Sequence, residues 1–334
     1  MPAIKQKRNL PKAPGEAYHN HWYFFTLRNC REKSVVPFLD NPAMNLELCV
    51  LASGSSGNAS LLRAGPDAIL IDAGIGPKTA DRRMTGTGLD LSSIRAIVLT
   101  HLDGDHINPA WFRVMLRQNI RLFIPRNQLK LLRRLARLED VLKPMMQLTT
   151  LFDQEAFYPL PTVACTPVRL PHDKKGSFGF VLQSQQTRVG YATDLGQAPP
   201  ELVEVFAGAG ILAIESNYDP EMQLQSRRPE RLKKRIMGGA GHLSNPQALE
   251  LVQRILDRTL AKYGPEHQLH HVVLLHRSRQ CNCPIKLRAV FETDGRIAPI
   301  LTLSHQFQRT DWLGAPDRKA LPGEQLSLFA VMAQ

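Results

Sequence analysis

The sequence predicts an α/β fold in a single domain spanning residues 44–310, and three observations support this. Short β-branched and aliphatic runs alternate with segments of helical periodicity along the whole stretch. The 334 residues are 43% hydrophobic and 22% charged, which is typical of a globular protein with a sizeable core. No apolar run is long enough to cross a bilayer, so we expect no membrane association.

The predicted elements follow in chain order from a first strand that begins just after Met44. Strands are predicted where aliphatic and β-branched residues form short runs, at 46–51, 59–63, 68–72, 96–100, 179–183, 188–193, 211–214 and 271–275. Helices are predicted where apolar residues recur with helical spacing, at 108–117, 126–137, 199–206 and 246–262. The last helix has the clearest start, because Ser244 is a suitable N-cap and Pro246 suits a first helical turn.

Both flanks of this domain differ from it in composition. Residues 1–43 are rich in Pro, Asn, Lys and Arg and lack periodicity, so we expect a basic, disordered extension and interpret Met44 as the true or ancestral start. Residues 311–334 are polar and contain Pro and Gly, and they are predicted to form a flexible tail.

The net charge of +12 favours a polyanionic partner, and the basic residues concentrate in two clusters. The first cluster comprises Arg113, Arg117, Arg121, Arg126, Lys130, Arg133, Arg134 and Arg137. The second, which we assign to nucleic-acid binding, comprises Arg227, Arg228, Arg231, Lys233, Lys234 and Arg235. A solvated helix face is the alternative explanation for such runs, but only Glu230 interrupts the second cluster.

The five cysteines are odd in number and scattered, which favours reduced thiols over a disulfide framework. Cys281 and Cys283 form a CxC motif, but no second cysteine pair is near, so we interpret them as packing or loop residues. Together with the basic charge, these features predict a cytoplasmic, nucleoid-associated protein.

The most informative segment is HLDGDH at 101–106, which follows the predicted strand at 96–100. It brings four potential metal ligands into one short loop, namely His101, Asp103, Asp105 and His106. Carboxylates and imidazoles at this density repel one another or must be desolvated together, and a divalent cation makes the arrangement favourable. A solvated acidic turn is the alternative, against which a histidine on each side of Asp-Gly-Asp argues.

Further candidate ligands recur downstream, each of them predicted to lie at a strand end. They are His172, Asp194, His242 and His276. Any one of these residues alone is more often structural, as a buried histidine bonded to a carbonyl or an aspartate that starts a turn. Their joint recurrence favours a shared site.

Several of these motifs resemble those of the metallo-β-lactamase superfamily. They occur in the order ILIDAG at 69–74, THLDGDH at 100–106, His172, TDLG at 193–196 and LLHRS at 274–278. Four blocks are further similar to the YycJ/WalJ group of metal-dependent exonucleases, namely LASGSSGN at 51–58, ESNYDPEM at 215–222, GHLSN at 241–245 and HRSRQCNCP at 276–284. The resemblance implies a four-layered αβ/βα sandwich, a dinuclear metal site and 5′ to 3′ exonuclease action on DNA.

The resemblance also implies a role for each candidate ligand. The implied ligands are His101, Asp103 and His172 for one ion, Asp105, His106 and His276 for the other, and Asp194 as a bridge. Two such ions would lower the pKa of bound water and polarise the phosphate. Asp105 and His242 are the implied catalytic residues, and His242 would donate a hydrogen bond or a proton to the leaving oxygen.

Asp103 departs from the superfamily pattern HxHxDH, which has histidine at this position. A carboxylate still coordinates, but a harder, anionic ligand shifts preference from zinc towards manganese or magnesium. We therefore predict two divalent ions, Zn or Mn, with Mn or Mg favoured at the Asp103 site. A weakened site in a feeble or inactive enzyme is the alternative. We favour a working site because every other ligand position is filled.

The tight glycine-serine loop at 53–58 carries a separate expectation. The backbone of Ser55, Ser56, Gly57 and Asn58 is a candidate phosphate-binding concavity. A simple tight turn is an equally weighted alternative.

The predicted tail contains QLSLF, which looks like the pentapeptide by which bacterial replication and repair proteins dock on the sliding clamp. Its residues are Gln325, Leu326, Ser327, Leu328 and Phe329. Leucines and a phenylalanine on a flexible tail are not buried in the core of the domain, so we expect them to bind an apolar pocket of a partner. The alternative is that the segment folds back as a C-terminal strand.

Taken together, the sequence predicts a metal-dependent phosphodiesterase that acts on DNA in replication or repair, with the sliding clamp as its second partner. Three alternatives stay open. They are an RNA-processing nuclease of the same superfamily, a small-molecule phosphodiesterase or thioester hydrolase, and a non-catalytic, clamp-tethered DNA-binding protein.

Overall fold

Two seven-stranded mixed sheets face each other in the part of the chain that the computed structural model describes, residues 44–315. Helices cover the outer face of each sheet, and this confirms the predicted four-layered αβ/βα sandwich. The predicted extension over 1–43 and the clamp-like motif over 325–329 lie outside the described residues.

The first sheet is built mainly from the N-terminal half of the domain. Its strands are β1 (Leu46–Ala52), β2 (Ala59–Ala64), β3 (Asp67–Ile71), β4 (Ile94–Val98), β5 (Arg121–Pro125), β6 (Thr149–Phe152) and β14 (Leu313–Gly314). They are arranged in the order β14-β1-β2-β3-β4-β5-β6, antiparallel from β14 to β3 and parallel from β3 to β6. The carboxyl ends of β3 and β4 therefore lie at the same edge.

The second sheet follows the same plan. Its strands are β7 (Phe157–Leu160), β8 (Val163–Leu170), β9 (Ser177–Gln183), β10 (Arg188–Ala192), β11 (Ile211–Glu215), β12 (His271–Leu275) and β13 (Leu301–Leu303). Strands β7 to β10 pair antiparallel and β10 to β13 pair parallel, in the order β13-β12-β11-β10-β9-β8-β7. The carboxyl ends of β10, β11 and β12 thus share an edge.

The helices divide between the two outer layers. Those that pack on the first sheet are α1 (Pro77–Met84), α2 (Ala110–Gln118), α3 (Leu129–Leu138) and α4 (Leu142–Leu148). The remaining helices of the described residues are α5 (Pro200–Phe206), α6 (Pro220–Gln225), α7 (Glu230–Met237), α8 (Asn245–Tyr263) and α9 (Pro284–Phe291), of which α5, α8 and α9 pack on the second sheet. None of the helices described is long and apolar enough to span a membrane.

Burial of both faces of a strand explains why the strand sequences are nearly continuous apolar runs. In β3, Ile69 and Ile71 point into the core between the sheets, whereas Ala68 and Leu70 point to the helix layer. Both faces of the strand are buried, so both need apolar residues. This arrangement holds the strand ends, and the polar residues that follow them, in a rigid frame.

Most predicted elements are present, with boundaries that differ for identifiable reasons. Helix α8 begins at its predicted cap, where Ser244 and Gln247 form a reciprocal capping box. The strand predicted at 96–100 ends at Val98, because the Thr100 amide turns away and donates to the Asp72 carboxylate. The helix predicted at 126–137 opens with a separate 3-10 turn, Arg126–Gln128. Sequence periodicity predicts no element in 142–170, where α4 and three short strands form.

The predicted tail boundary is wrong by several residues. Residues 313–314 belong to the domain, because β14 pairs antiparallel with β1 and supplies an edge strand to the first sheet. Leu313 is buried in the core between the sheets, which a flexible tail would not provide. The two-residue strand is too short to give a sequence pattern.

The four cysteines within the described residues are free, as predicted. Cys281 packs with Tyr218 and Ile236, and the Cys283 sulfur accepts a hydrogen bond from the Lys286 amide at the start of α9. These contacts confirm the interpretation of the CxC motif as packing and loop residues.

Candidate metal centre

The candidate site lies where the carboxyl ends of the parallel strands of both sheets meet. The first sheet contributes Asp72, directly after β3, and the loop at 101–106, which follows β4. The second contributes Asp194 after β10 and His276 after β12. Contacts across the sandwich join the two halves, since His106 Nε2 lies 2.9 Å from the Asp194 carboxylate.

Three of these residues have an unusual backbone conformation. Asp72, Asp194 and His276 have φ angles of 58°, 54° and 52°, in the left-handed region that most side chains avoid. Each stands one or two residues beyond the end of its strand, so the chain turns sharply and aims the side chain across the edge of the sheet. Such strain persists where the surrounding structure enforces it, and it concentrates at functional sites.

The predicted metal ligands come together in space. Among the described residues, four groups of donor atoms lie within 4.8 Å of one another. They are His101, Asp103 and His172; Asp105, His106 and His276; His101, His106 and Asp194; and Asp194, Glu215, His242 and His276. The first two groups match the two triads expected for two ions, and Asp194 belongs to groups on both sides.

The ring orientation of the histidines fits a metal site. In each, Nδ1 is bonded within the protein: in His106 to Asp72, in His172 to the carbonyl of Gly241, and in His276 to Glu215. This fixes the ring and leaves Nε2 as the ligand atom, which is the usual arrangement for metal-binding histidine. The donor set therefore fits divalent cations.

Asp194 is the most heavily contacted acid of the site. Besides its 2.9 Å contact with His106, its carboxylate lies 3.3 Å from His276, 3.6 Å from His242 and 3.8 Å from His172. Burial opposes its ionisation, but the imidazoles of His276 and His106 hold the pKa of Asp194 well below its usual range. The carboxylate is thus buried in its charged form.

Asp103 lies where the first triad requires it. Its carboxylate is 3.9 Å from His101 Nε2, and its side chain is 50% exposed, unlike the two buried histidines of its triad. The position departs from the superfamily pattern in residue type, but the side chain stands within reach of the other two donors.

Asp72 is a functional residue that the sequence reasoning did not select. Its Oδ2 accepts the His106 Nδ1 hydrogen at 2.8 Å, and Oδ1 accepts from the amide and hydroxyl of Thr100. The Thr100 hydroxyl in turn lies 3.0 Å from His101 Nδ1. Asp72 therefore orients one ligand directly and a second through Thr100. The signal available was an isolated acid ending an apolar strand, in ILIDAG.

Glu215 is the second residue missed, and it plays the same part on the other sheet. Its carboxylate is fully buried at the end of β11 and contacts His242 Nδ1 at 2.7 Å and His276 Nδ1 at 2.9 Å. Burial opposes the charge on the His242 ring, but the Glu215 carboxylate raises the pKa of His242. His242 itself lies in the loop before α8, so the prediction that it ends a strand is wrong.

The loop at 53–58 contacts the candidate metal centre through Asn58. The Asn58 side-chain amide lies 3.1 Å from His106 Nε2, and the Asn58 main-chain amide donates to the carbonyl of Asp105. Close approach of these chains requires glycine at Gly74, where an added Cβ would lie 1.8 Å from the Asp105 carbonyl oxygen.

This loop is a tight turn, and three of the four amides of the predicted phosphate-binding concavity of Ser55, Ser56, Gly57 and Asn58 have partners within the protein. The amide of Ser56 donates to the Gln306 side chain, that of Gly57 to the Gly54 carbonyl, and that of Asn58 to Asp105. These N–H groups are engaged within the protein, so they are not directed at a ligand.

The second basic cluster is only partly exposed. Lys233 is buried, and its ammonium donates to the Leu224 carbonyl and to Glu230, so the structure removes it from the predicted nucleic-acid contacts. Arg228 bonds to polar side chains, and Arg235 pairs with Asp173. Among the described residues, the exposed members of this cluster without an ion-pair or hydrogen-bond partner are Arg227, Arg231 and Lys234.

The first basic cluster differs from the second, because all eight of its residues are exposed.

Comparison with known proteins agrees with this architecture. A family profile described as "Beta-lactamase superfamily domain" matches residues 67–261, more than half of the chain. Exodeoxyribonuclease YycJ of Bacillus anthracis is 24% identical over 72% of this chain and 85% of its own length. Exodeoxyribonuclease WalJ of Streptococcus pneumoniae is 27% identical over 76% of this chain and 96% of its own.

The fold is also similar to solved structures. The metallo-β-lactamase fold protein YhfI from Bacillus subtilis superposes with a TM-score of 0.55 and 13% sequence identity, over 80% of this chain and 99% of that one. At this identity the likeness shows the fold alone.

Replacing Asp72 by asparagine should weaken metal binding about 10- to 100-fold, because an amide holds the His106 ring less firmly than a carboxylate. Chelator-competition titration of both variants would measure this. The matched control is Asp67→Asn, at the other end of β3, where the carboxylate pairs with Arg95 at the surface. Equal metal affinity of the two variants would refute the orienting role.

Replacing Asp103 by alanine should lower the metal content from two ions per chain to one, since it removes a third of the first donor triad. Elemental analysis after exhaustive dialysis would measure the stoichiometry. Asp153→Ala is the control, because this exposed aspartate forms a surface ion pair with Arg126. Two tightly bound ions retained in Asp103→Ala would show that the ligand assignment is wrong.

Proposed function

The chain belongs to the beta-lactamase superfamily and is a metal-dependent hydrolase, and we propose on that premise that it hydrolyses the phosphodiester bonds of DNA as a 5′ to 3′ exonuclease. The relatives named exodeoxyribonuclease support this substrate, as does the net charge of +12. The observation that carries the proposal is the convergence of histidine and carboxylate donor atoms on one edge of the sandwich, where the Nδ1 atoms of His106, His172 and His276 are bonded within the protein.

The proposed ligands keep the two triads and the bridge. His101, Asp103 and His172 would hold one ion, and Asp105, His106 and His276 the other, with Asp194 shared between them. Two divalent ions held there would supply an activated water at neutral pH and would neutralise charge on the phosphate. The Asp103 carboxylate, which stands where the superfamily pattern has histidine, favours Mn or Mg over Zn at the first triad.

Asp105 and His242 are the side chains proposed to move protons. The Asp105 carboxylate is 26% exposed and hydrogen-bonded to His276. Burial opposes its charge, but the His276 hydrogen bond lowers the pKa of Asp105, so it is ionised at neutral pH and able to accept a proton. Burial opposes the charge on His242, but Glu215 contacts its Nδ1 and raises the pKa of the ring, which favours the protonated form that a donor to the leaving oxygen needs.

The nuclease proposal is tested by incubating the purified chain and Mn²⁺ with end-labelled single-stranded DNA, duplex DNA and RNA. We expect a 5′ label to appear first in the smallest products, and a 3′ label to stay in long fragments until late. The variant His106→Ala should abolish degradation, because it removes a ligand of the second triad.

Three other outcomes would each replace the proposal. Preferential degradation of RNA would favour an RNA-processing nuclease. Hydrolysis of cyclic phosphates or thioesters without degradation of any polymer would favour a small-molecule hydrolase. DNA binding with no hydrolysis at all would favour a non-catalytic DNA-binding protein.

We further propose that the clamp-like motif at 325–329, outside the described residues, recruits the protein to the sliding clamp. The double variant Leu328→Ala, Phe329→Ala should abolish binding to purified clamp, because it removes the apolar anchors of the peptide. Its nuclease activity on short DNA should equal that of the wild type. Unchanged affinity in a pull-down would refute the proposal.

A further inference from the structure

A basic and aromatic surface borders the candidate metal centre on the side of β12. We call it the Arg-Phe patch, and define it by Arg83, Arg277, Arg279, His305 and Phe307. It contains part of HRSRQCNCP, a block whose arginines have no role in the proposed ligand set.

Covalent and hydrogen-bonded links place the Arg-Phe patch next to the metal ligands. Arg277 directly follows His276, whose amide donates to the Ser53 hydroxyl. The Ser53 amide in turn donates to the carbonyl of His305. The patch and the metal centre thus share the loop at 53–58 as a common wall.

The arginines of the patch converge on one imidazole. Burial, and then the guanidiniums of Arg277, Arg83 and Arg279, lower the pKa of His305. Arg83 donates hydrogen bonds to the carbonyls of Leu51 and Gln306, so it stabilises the loop that carries His305. Within residues 44–315, the guanidiniums of Arg277 and Arg279 donate no hydrogen bond to a carbonyl.

The charges of Arg277 and Arg279 are not neutralised within residues 44–315, where neither guanidinium forms an ion pair with a carboxylate. Arg277 Nε is buried and donates to no acceptor of the described chain. A guanidinium without a carboxylate partner is available to an anionic ligand, which would neutralise its charge.

Phe307 adds an aromatic platform to this charge. Its side chain is 54% exposed, which makes it the one strongly exposed aromatic ring among the residues described. The Arg279 guanidinium lies 5.0 Å from the centre of the ring, and His305 meets its edge with ring centres 5.9 Å apart. A flat ring flanked by cations is the arrangement on which proteins stack unpaired bases while they hold the adjoining phosphates.

We propose that the Arg-Phe patch binds single-stranded DNA beside the metal centre, with an unpaired base stacked on Phe307 and the adjoining phosphates held by Arg277 and Arg279. The inference rests on the proposed function, because it specifies which form of DNA enters the metal centre for hydrolysis. A stacked base needs a free face, so the patch selects single strands or frayed ends over paired duplex.

The test is the affinity of the metal-loaded, full-length chain for a 20-nucleotide single-stranded DNA with phosphorothioate linkages, which resist hydrolysis, measured by fluorescence anisotropy. Phe307→Leu should raise Kd about 10-fold, whereas Phe307→Trp, which keeps the ring, should stay within about 2-fold of wild type. Arg279→Gln should raise Kd and reduce the slope of log Kd against log salt by about 0.7.

Two variants on α8 serve as matched controls, Leu260→Ala for exposed apolar area and Arg254→Gln for charge. Both should bind like the wild type. A Kd for Phe307→Leu within 2-fold of wild type would overturn the inference. So would equal affinity for a blunt duplex that does not respond to Phe307→Leu, or more than 10-fold tighter binding of RNA of the same length.

Failure of the patch and failure of the proposed function give different results. If the wild type degrades DNA but Phe307→Leu and Arg279→Gln bind it normally, only the patch is wrong. If the wild type degrades no DNA but these two variants lose affinity for it, the patch is right and the proposed catalytic function is wrong.

Discussion

The buried Asp194 carboxylate is the interaction on which the rest of the site depends. Moving a lone carboxylate out of water is unfavourable by several kcal/mol, unless partners of opposite charge or hydrogen-bond donors surround it. Here four imidazoles do so, from His106, His276, His242 and His172. Because these rings come from both sheets and the loops between them, the charge can be buried only when the whole sandwich has closed.

Each sheet also provides a buried carboxylate that orients a histidine of the site. Asp72 on the first sheet and Glu215 on the second are fully buried and bond to the Nδ1 atoms of His106 and His276. The Nε2 atoms of the same rings face the carboxylates of Asp194 and Asp105. The two halves thus share one arrangement. In each, a buried carboxylate at a strand end holds the Nδ1 of a histidine, and the Nε2 of that histidine lies at the shared edge. This arrangement explains why the ligands are preorganised without any disulfide or external clasp among the described residues.

Much of the fold and of the ligand set could be predicted from sequence, because buried strands and clustered donors leave strong local patterns. The loop at 101–106 is one example, since its ligands are adjacent in the chain. Glu215 could not be found in this way, because a single acid after an apolar run has no local feature that separates an orienting carboxylate from a turn. Lys233 shows the opposite failure: a lysine in a basic run is buried here because the Leu224 carbonyl and the Glu230 carboxylate accept hydrogen bonds from its ammonium.

The left-handed conformation of Asp72, Asp194 and His276 has an evolutionary consequence. A residue at these positions must satisfy the backbone as well as the chemistry, and few types do so, chiefly aspartate, asparagine, histidine and glycine. A descendant that lost its metal would be free of the chemical demand but not of the conformational one. In such a lineage these positions should drift to asparagine or glycine, and not to alanine or valine, so the geometry of the strand ends would outlast the activity.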